Sequence, residues 1–368
     1  MSELGFGQSM HGLLIIPNKR QQIRPTVSNS SHSTMIILRR AAMNLSSSPF
    51  QSKLSSRISA TFAASLLSTL LSLNAHAEQK WVAQASGTSS ELRSVSLTKH
   101  GLDGWAAGFG GAIVATTNGG QTWVMQASGT SKELNSITFS QDGRNGWVVG
   151  FGGIILATSN GGQTWERQTS GTTSELRSVV FAADGRTGWA VGVNGTILST
   201  ADSGKTWTPQ YSGTSSELQS ISITPDGRNC WIVGFGGTIL SSTNSGRSWK
   251  TQISGTQNEL HSVSFTADGR TGWAVGFNGT ILATSNGGQT WTTQSSGTSR
   301  ELRSVHFAAG GHAGWAVGFG GKILSTTNGG NTWMSQESGT SKELTAISIT
   351  QSGSNGWAVG FGGTIIAF

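Results

Sequence analysis

From about residue 80 onward, short apolar runs alternate with punctuation rich in Gly, Asn and Ser. None of these runs keeps a 3.6-residue period over a useful length, so amphipathic helices are excluded and strands are expected. Residues 259–295 show the unit. Positions 259–266 read as one strand and 267–272 as a turn; Trp273-Ala-Val-Gly-Phe is a second strand, reversed at Asn278-Gly279. Asn-Gly suits a tight hairpin because both residues accept positive φ. Positions 280–284 form a third strand, 285–290 a further turn, and Trp291-Thr-Thr-Gln a fourth strand. Strands such as Thr280-Ile-Leu-Ala do not alternate with charged residues, which predicts burial on both faces.

The unit recurs without insertion or deletion. Trp105, Trp147, Trp189, Trp231, Trp273, Trp315 and Trp357 are each 42 residues apart, and so are Trp81, Trp123, Trp165, Trp207, Trp249, Trp291 and Trp333. A third register is acidic: Glu91, Glu133, Glu175, Glu217, Glu259, Glu301 and Glu343. Four antiparallel strands in 42 residues is the size of a propeller blade. The pattern therefore predicts an all-β protein, a seven-bladed β-propeller of 42-residue, four-stranded repeats. The run at 80–84 is an isolated fourth strand and the run at 364–368 a third strand. Pairing them completes the last blade with the N-terminal strand and removes two open edges. An open solenoid would need polar capping repeats instead. The tryptophans are expected between the sheets, as packing. Phe109, Phe151, Phe235, Phe277, Phe319 and Phe361, with Val193 in the third copy, are expected to pack against the hairpin turns; exposed, they would make an apolar ring suited to a partner.

Charge separates the N-terminal segment from the repeats. Of the net +7, residues 1–77 carry seven basic side chains against Glu3 alone, leaving 17 basic and 16 acidic side chains beyond. The repeats thus lack the cation density that phosphate binding needs, which argues against nucleic acid as a partner. Arg57, the apolar stretch at 58–73 and Asn74-Ala75-His76-Ala77 together read as a secretory signal peptide cleaved after Ala77. The apolar stretch is interrupted by Ser and Thr and too short for a stable membrane span. Residues 43–77 are assigned to this signal, 1–42 to an upstream extension or misassigned start, and 78–368 to the propeller. A periplasmic or secreted bacterial protein is expected. The one cysteine, Cys230, stands where other copies have Gly, so no internal disulfide or cysteine metal site is expected. His100, His261, His306 and His312 show no metal-ligand spacing, and no metal or cofactor is expected.

The loops before the second Trp register include Thr116-Thr-Asn-Gly-Gly-Gln-Thr-Trp123 and Thr200-Ala-Asp-Ser-Gly-Lys-Thr-Trp207. They resemble the Asp-box, or bacterial neuraminidase repeat. Only Asp202 keeps the acid; Asn118, Asn160, Asn244, Asn286 and Asn328 keep the local acceptor without the charge, which speaks against calcium. The flanking pattern, Glu-Leu-x-Ser-Val/Ile, Gly-Trp-Ala-Val-Gly-x-x-Gly-Thr-Ile-Leu and Asn-Gly-Gly-x-Thr-Trp, is similar to the photosystem II stability/assembly-factor type of Asp-box propeller. That resemblance implies a non-catalytic assembly or interaction role, with a protein partner in the cell envelope.

Sialidases also carry Asp-boxes, and the resemblance to them would require a Tyr nucleophile among an arginine cluster and separate acids. The single tyrosine, Tyr211, occupies a slot just past an outer strand, where other copies hold Ala127, Thr169 or Glu337. Seven equivalent Glu do not make a differentiated acid/base pair, so no catalytic residue is assigned. The position after Glu-Leu varies: Arg93, Asn135, Arg177, Gln219, His261, Arg303 and Thr345. In a propeller this position rims the central channel. Arg93, Arg177, His261 and Arg303 are therefore the candidate partner-binding rim, suited to a protein or anionic ligand, with the Glu register beside them as a second binding element or a structural brace of backbone N–H groups. A multivalent carbohydrate-binding propeller is the alternative, because equivalent pockets between blades would bind glycans by avidity.

Overall fold

A computed structural model of the protein describes residues 80–368, and the expected signal peptide and upstream extension lie outside them. The described residues form seven four-stranded antiparallel sheets arranged in a ring, a seven-bladed β-propeller with no α-helix among them. In the first blade the strands run outward as Leu92–Leu97, Gly104–Gly108, Ile113–Thr116 and Val124–Gln126. In the residue 259–295 unit the strands are Leu260–Phe265, Gly272–Gly276, Ile281–Thr284 and Thr292–Gln294, within two residues of the limits read from the pattern. Asn278 and Gly279 both take positive φ, 56° and 67°, as the hairpin required.

The last blade is completed from the other end of the ring. Val82–Gln84 pairs antiparallel with Thr364–Ala367, Val82 opposite Ala367 and Gln84 opposite Ile365. Trp81 meets Phe368 edge-on at 4.6 Å, so an aromatic contact reinforces a strand of only three residues.

There is no single central core. Seven apolar clusters each join two neighbouring blades; one holds Trp105 and Ile113 of the first blade with Leu134 and Val148 of the second. Tryptophans of the first register are buried, Trp189 and Trp273 completely. Trp273 stacks on Phe307 of the following blade at 3.5 Å, and its indole N–H donates to the Gly329 carbonyl in that blade's turn at 2.9 Å. The second register crosses in the opposite direction, with Trp123 Nε1 donating to Gln84 Oε1 of the preceding blade at 3.0 Å. Burying an indole of this size contributes roughly 5 kcal/mol of gross transfer free energy, and each tie holds two blades together. The turn motif has the expected staple: Asn118 Oδ1 accepts from the Thr122 backbone N–H at 3.0 Å, and Thr116 Oγ1 accepts from the Gly120 N–H at 3.0 Å.

A serine register that the sequence reading did not single out sews the inner strands together. Ser94 Oγ accepts the N–H of Ile137 in the next blade at 3.1 Å, and Ser136, Ser178, Ser220, Ser262 and Ser304 repeat the contact. The last blade has Ala346 at this position, so the junction between the last and first blades lacks this stitch.

Candidate functional site

The rim residues are aimed by a backbone irregularity. In every blade the ladder between the inner and second strands shifts register across the position after Glu-Leu, for example between Leu92 and Ser94. Such a bulge bends the strand and turns its extra side chain out of the normal alternation. The bulge depends on a glycine at the end of the second strand. A Cβ on Gly276 would lie 1.9 Å from the Glu259 carbonyl oxygen, too close for any other residue without moving the strand start. The same carbonyl accepts the Phe277 N–H at 2.9 Å, which fixes the aromatic turn beside the glutamate.

This geometry brings Arg93, Arg177, His261 and Arg303 together with the Glu register around the channel mouth, but not as free cations. Arg93 lies between Glu91 and Glu133, at 3.0 and 2.9 Å. Arg177 lies between Glu175 and Glu217 at 2.9 and 2.8 Å, and Arg303 between Glu301 and Glu343 at 2.9 and 2.6 Å. The Gln219 amide donates to Glu217 at 3.1 Å and Glu259 at 2.8 Å. Asn135 accepts from Arg93 and donates to Glu175, both at 2.9 Å. His261 bridges Glu301 at 2.5 Å and Glu259 at 3.4 Å. Burial, with Arg303 beside it, holds the His261 pKa below the usual imidazole value against the pull of Glu259 and Glu301. The glutamates therefore brace neighbouring blades through side chains rather than through the backbone N–H groups of their own loops. These ion pairs are part-exposed, so each is worth no more than about 1 kcal/mol.

One slot differs. Thr345 is too short to span two carboxylates, and its hydroxyl instead reaches the carbonyl oxygens of Leu92 at 2.6 Å and Val359 at 3.1 Å. No side chain therefore links Glu343 and Glu91 across the blade junction; Glu343 pairs with Arg303 and Glu91 with Arg93. A cavity of about 420 Å³ opens at this mouth, lined by Glu91, Arg93, Glu343, Thr345, Ala346 and Phe361 among others.

The phenylalanine register departs from its expected place. Phe109, Phe151, Phe235, Phe277, Phe319 and Phe361 are 44–57% exposed rather than packed against their turns. The second-to-third-strand hairpin closes in two residues with positive φ, as at Gly110 and Gly111, leaving no wall for the preceding side chain to pack against. Because each aromatic follows a backbone bond to its own blade's glutamate, the six rings stand on the same face as the Glu–Arg ring.

Elsewhere, differentiated chemistry is sparse. Tyr211 is exposed beyond the outer strand Thr208–Gln210, away from the inner-strand carboxylates. Burial pushes the Cys230 thiol up to about 12, so it is a packed side chain rather than a thiolate. His306 is half-buried, and desolvation of its ring lowers its pKa to about 4. The first-register tryptophans are buried between blades, whereas Trp165, Trp249, Trp291 and Trp333 of the second are half-buried. Among the described residues, no group of three or more His, Cys, Asp or Glu could hold a metal ion.

Fold and turn chemistry together define a seven-bladed Asp-box propeller. The signature of the family described as "Photosynthesis system II assembly factor YCF48" matches residues 73–172, 167–254 and 247–336, more than half of the sequence. The chain belongs to that family. Among solved structures it is similar to "YCF48 bound to D1 peptide", with TM-score 0.65 and 22% identity over 78% of this chain and 94% of that one. It is likewise similar to YCF48 from Cyanidioschyzon merolae, with TM-score 0.65 and 20% identity over 78% of this chain and 98% of that one. At these identities the structural likeness is one of fold. No curated protein matches.

Proposed function

We propose that this protein is an exported, non-catalytic assembly or stability factor that holds a polypeptide partner of the cell envelope on its glutamate-ringed face. The observation that carries the reading is the exposure of six phenylalanines on one face of a molecule whose tryptophans are buried or half-buried between blades. Exposed aromatics gathered in one place favour protein contact, where large rigid side chains supply most of the binding energy. Family membership supports an assembly role, and the relative whose structure holds a D1 peptide supports a polypeptide as the bound class. The uniformity of the blades supports binding over catalysis, since an acid/base pair needs carboxylates in unlike environments. Export rests on the signal-peptide pattern ending at Ala77, and N-terminal sequencing of the mature protein tests it: Glu78 as first residue is expected, and a mature chain that keeps residues before 70 contradicts it.

The docking role is tested by purifying tagged wild type and the triple variant Phe151→Ser/Phe235→Ser/Phe319→Ser from the native envelope, with folding checked by circular dichroism. A stoichiometric partner, retained by the wild type and lost from the variant, is expected. Equal retention by both contradicts the reading.

A further inference from the structure

The aromatic crown locates a contact surface, and the charges inside it specify what the surface fits. Seven glutamates at the mouth are met by three guanidiniums, which leaves four negative charges with His261 neutral and three with it protonated. Each arginine already has two carboxylate partners, so the mouth holds no unpaired guanidinium for an anion. Glu343 and Glu91 each have one guanidinium partner, Arg303 and Arg93, but nothing bridges them, because Thr345 gives its hydroxyl to backbone carbonyls and contributes no donor to either carboxylate. The other slots show what those two carboxylates are spaced to accept. In the blades on either side of the junction, a guanidinium spans the corresponding pair with contacts of 2.6–3.0 Å. The roughly 420 Å³ cavity opens onto this slot, with Phe361 at its edge.

We propose that this mouth receives a basic side chain of the partner polypeptide. Its guanidinium or ammonium head sits between Glu343 and Glu91, and flanking apolar residues lie on the phenylalanine crown. A planar guanidinium fits best, because it can donate to both carboxylates at once and stack on an aromatic face. The partner is thus an extended segment with one Arg or Lys set among apolar residues, and it binds without a pairing role for Arg93, Arg177 or Arg303. The inference rests on the reading that this face docks a polypeptide.

The test is a positional-scanning array of acetylated, amidated heptapeptides, each with one defined central residue and mixed apolar flanks, probed with the full mature protein. Arg at the centre is expected to give at least tenfold more binding than Gln or Glu, with Lys between them. Thr345→Arg supplies the missing side chain from the protein itself, as other blades do, and should lower binding of the Arg peptides at least tenfold without altering the fold. Glu91→Gln and Glu343→Gln remove the carboxylates singly and should each weaken the same peptides severalfold. A preference for Glu at the centre, or Arg-peptide binding untouched by Thr345→Arg and both Gln variants, overturns the basic-residue proposal. Loss of binding in the Phe151→Ser/Phe235→Ser/Phe319→Ser variant would even then uphold docking on this face. Binding that survives the triple phenylalanine variant overturns the docking reading, and no binding by any peptide overturns both.

Discussion

His306 gives the propeller a built-in acid sensitivity whose size follows from its position. It lies in the inner strand Leu302–Phe307, opposite Trp315, with Nδ1 accepting the Ile349 N–H of the next blade at 3.3 Å. Burial penalises the imidazolium and lowers the pKa from 6.5 to about 4, against a hydrogen bond with the Ile347 backbone that pulls it up. In the unfolded chain the imidazole takes a proton near pH 6.5, whereas in the folded chain it does so only near pH 4. The stabilisation is therefore complete above the unfolded value and falls as pH drops from 6.5 to 4, by roughly 3 kcal/mol in total at 1.36 kcal/mol per pH unit. His306→Ser installs the residue that does this job at Ser96 and Ser222, whose hydroxyls accept the Phe139 and Phe265 N–H groups at 3.1 and 3.2 Å. Urea unfolding of both proteins, followed by tryptophan fluorescence between pH 7.5 and 4, measures the difference. The two stabilities should diverge with falling pH until the variant leads by about 3 kcal/mol relative to their difference at pH 7.5. A gap that stays constant across the range would refute the assignment.

Three further outcomes are expected. Trp273→Ala removes a fully buried indole, its stack on Phe307 and its bond to Gly329, and should cost about 4 kcal/mol by thermal or urea denaturation; a loss under 1 kcal/mol would contradict inter-blade packing as its role. Gly276→Ala places a methyl 1.9 Å from the Glu259 carbonyl, and should cost roughly 3 kcal/mol and weaken binding on the crown face together with stability; an unchanged melting temperature would show that the strand start is not held by that approach. Deleting the residues through Gln84 strips the last blade of its outer strand and exposes the edge Thr364–Ala367, so size-exclusion chromatography should show concentration-dependent dimers or aggregates; a monomer with wild-type stability would contradict ring closure by that strand.

The architecture was legible because its cause is periodic. Two tryptophan registers and a glutamate register at one spacing report the repeat directly, and the unmatched strands at 80–84 and 364–368 imply their own pairing. The site was legible only in part. The residue after Glu-Leu could be placed at the channel mouth, but its ion pairs join side chains 40 residues apart, as in Arg93–Glu133 and Arg303–Glu343, and such contacts leave no local pattern. Read along the chain, three arginines suggest a site for anions; arranged in space, each is neutralised and the mouth is acidic. The phenylalanines were expected to be packed because apolar residues beside strands usually are, but a two-residue hairpin offers them no wall. The serine register was visible as the Ser of Glu-Leu-x-Ser and its replacement by Ala346 could have marked the odd junction, yet only the ring shows that this is where the first and last blades meet.

Cross-linking in intact cells, mapped by mass spectrometry, decides which face carries the partner. Lys132 lies against Gly152 and Lys342 against Gly362 in the aromatic turns, and Lys322 follows the turn at Phe319–Gly321, so all three report on the glutamate-ringed face. Lys99 and Lys205 sit in the turns at the opposite ends of the strands. A docking face ringed by phenylalanine predicts partner cross-links through Lys132, Lys322 and Lys342. Cross-links confined to Lys99 and Lys205 would place the partner on the other side of the ring and contradict the account.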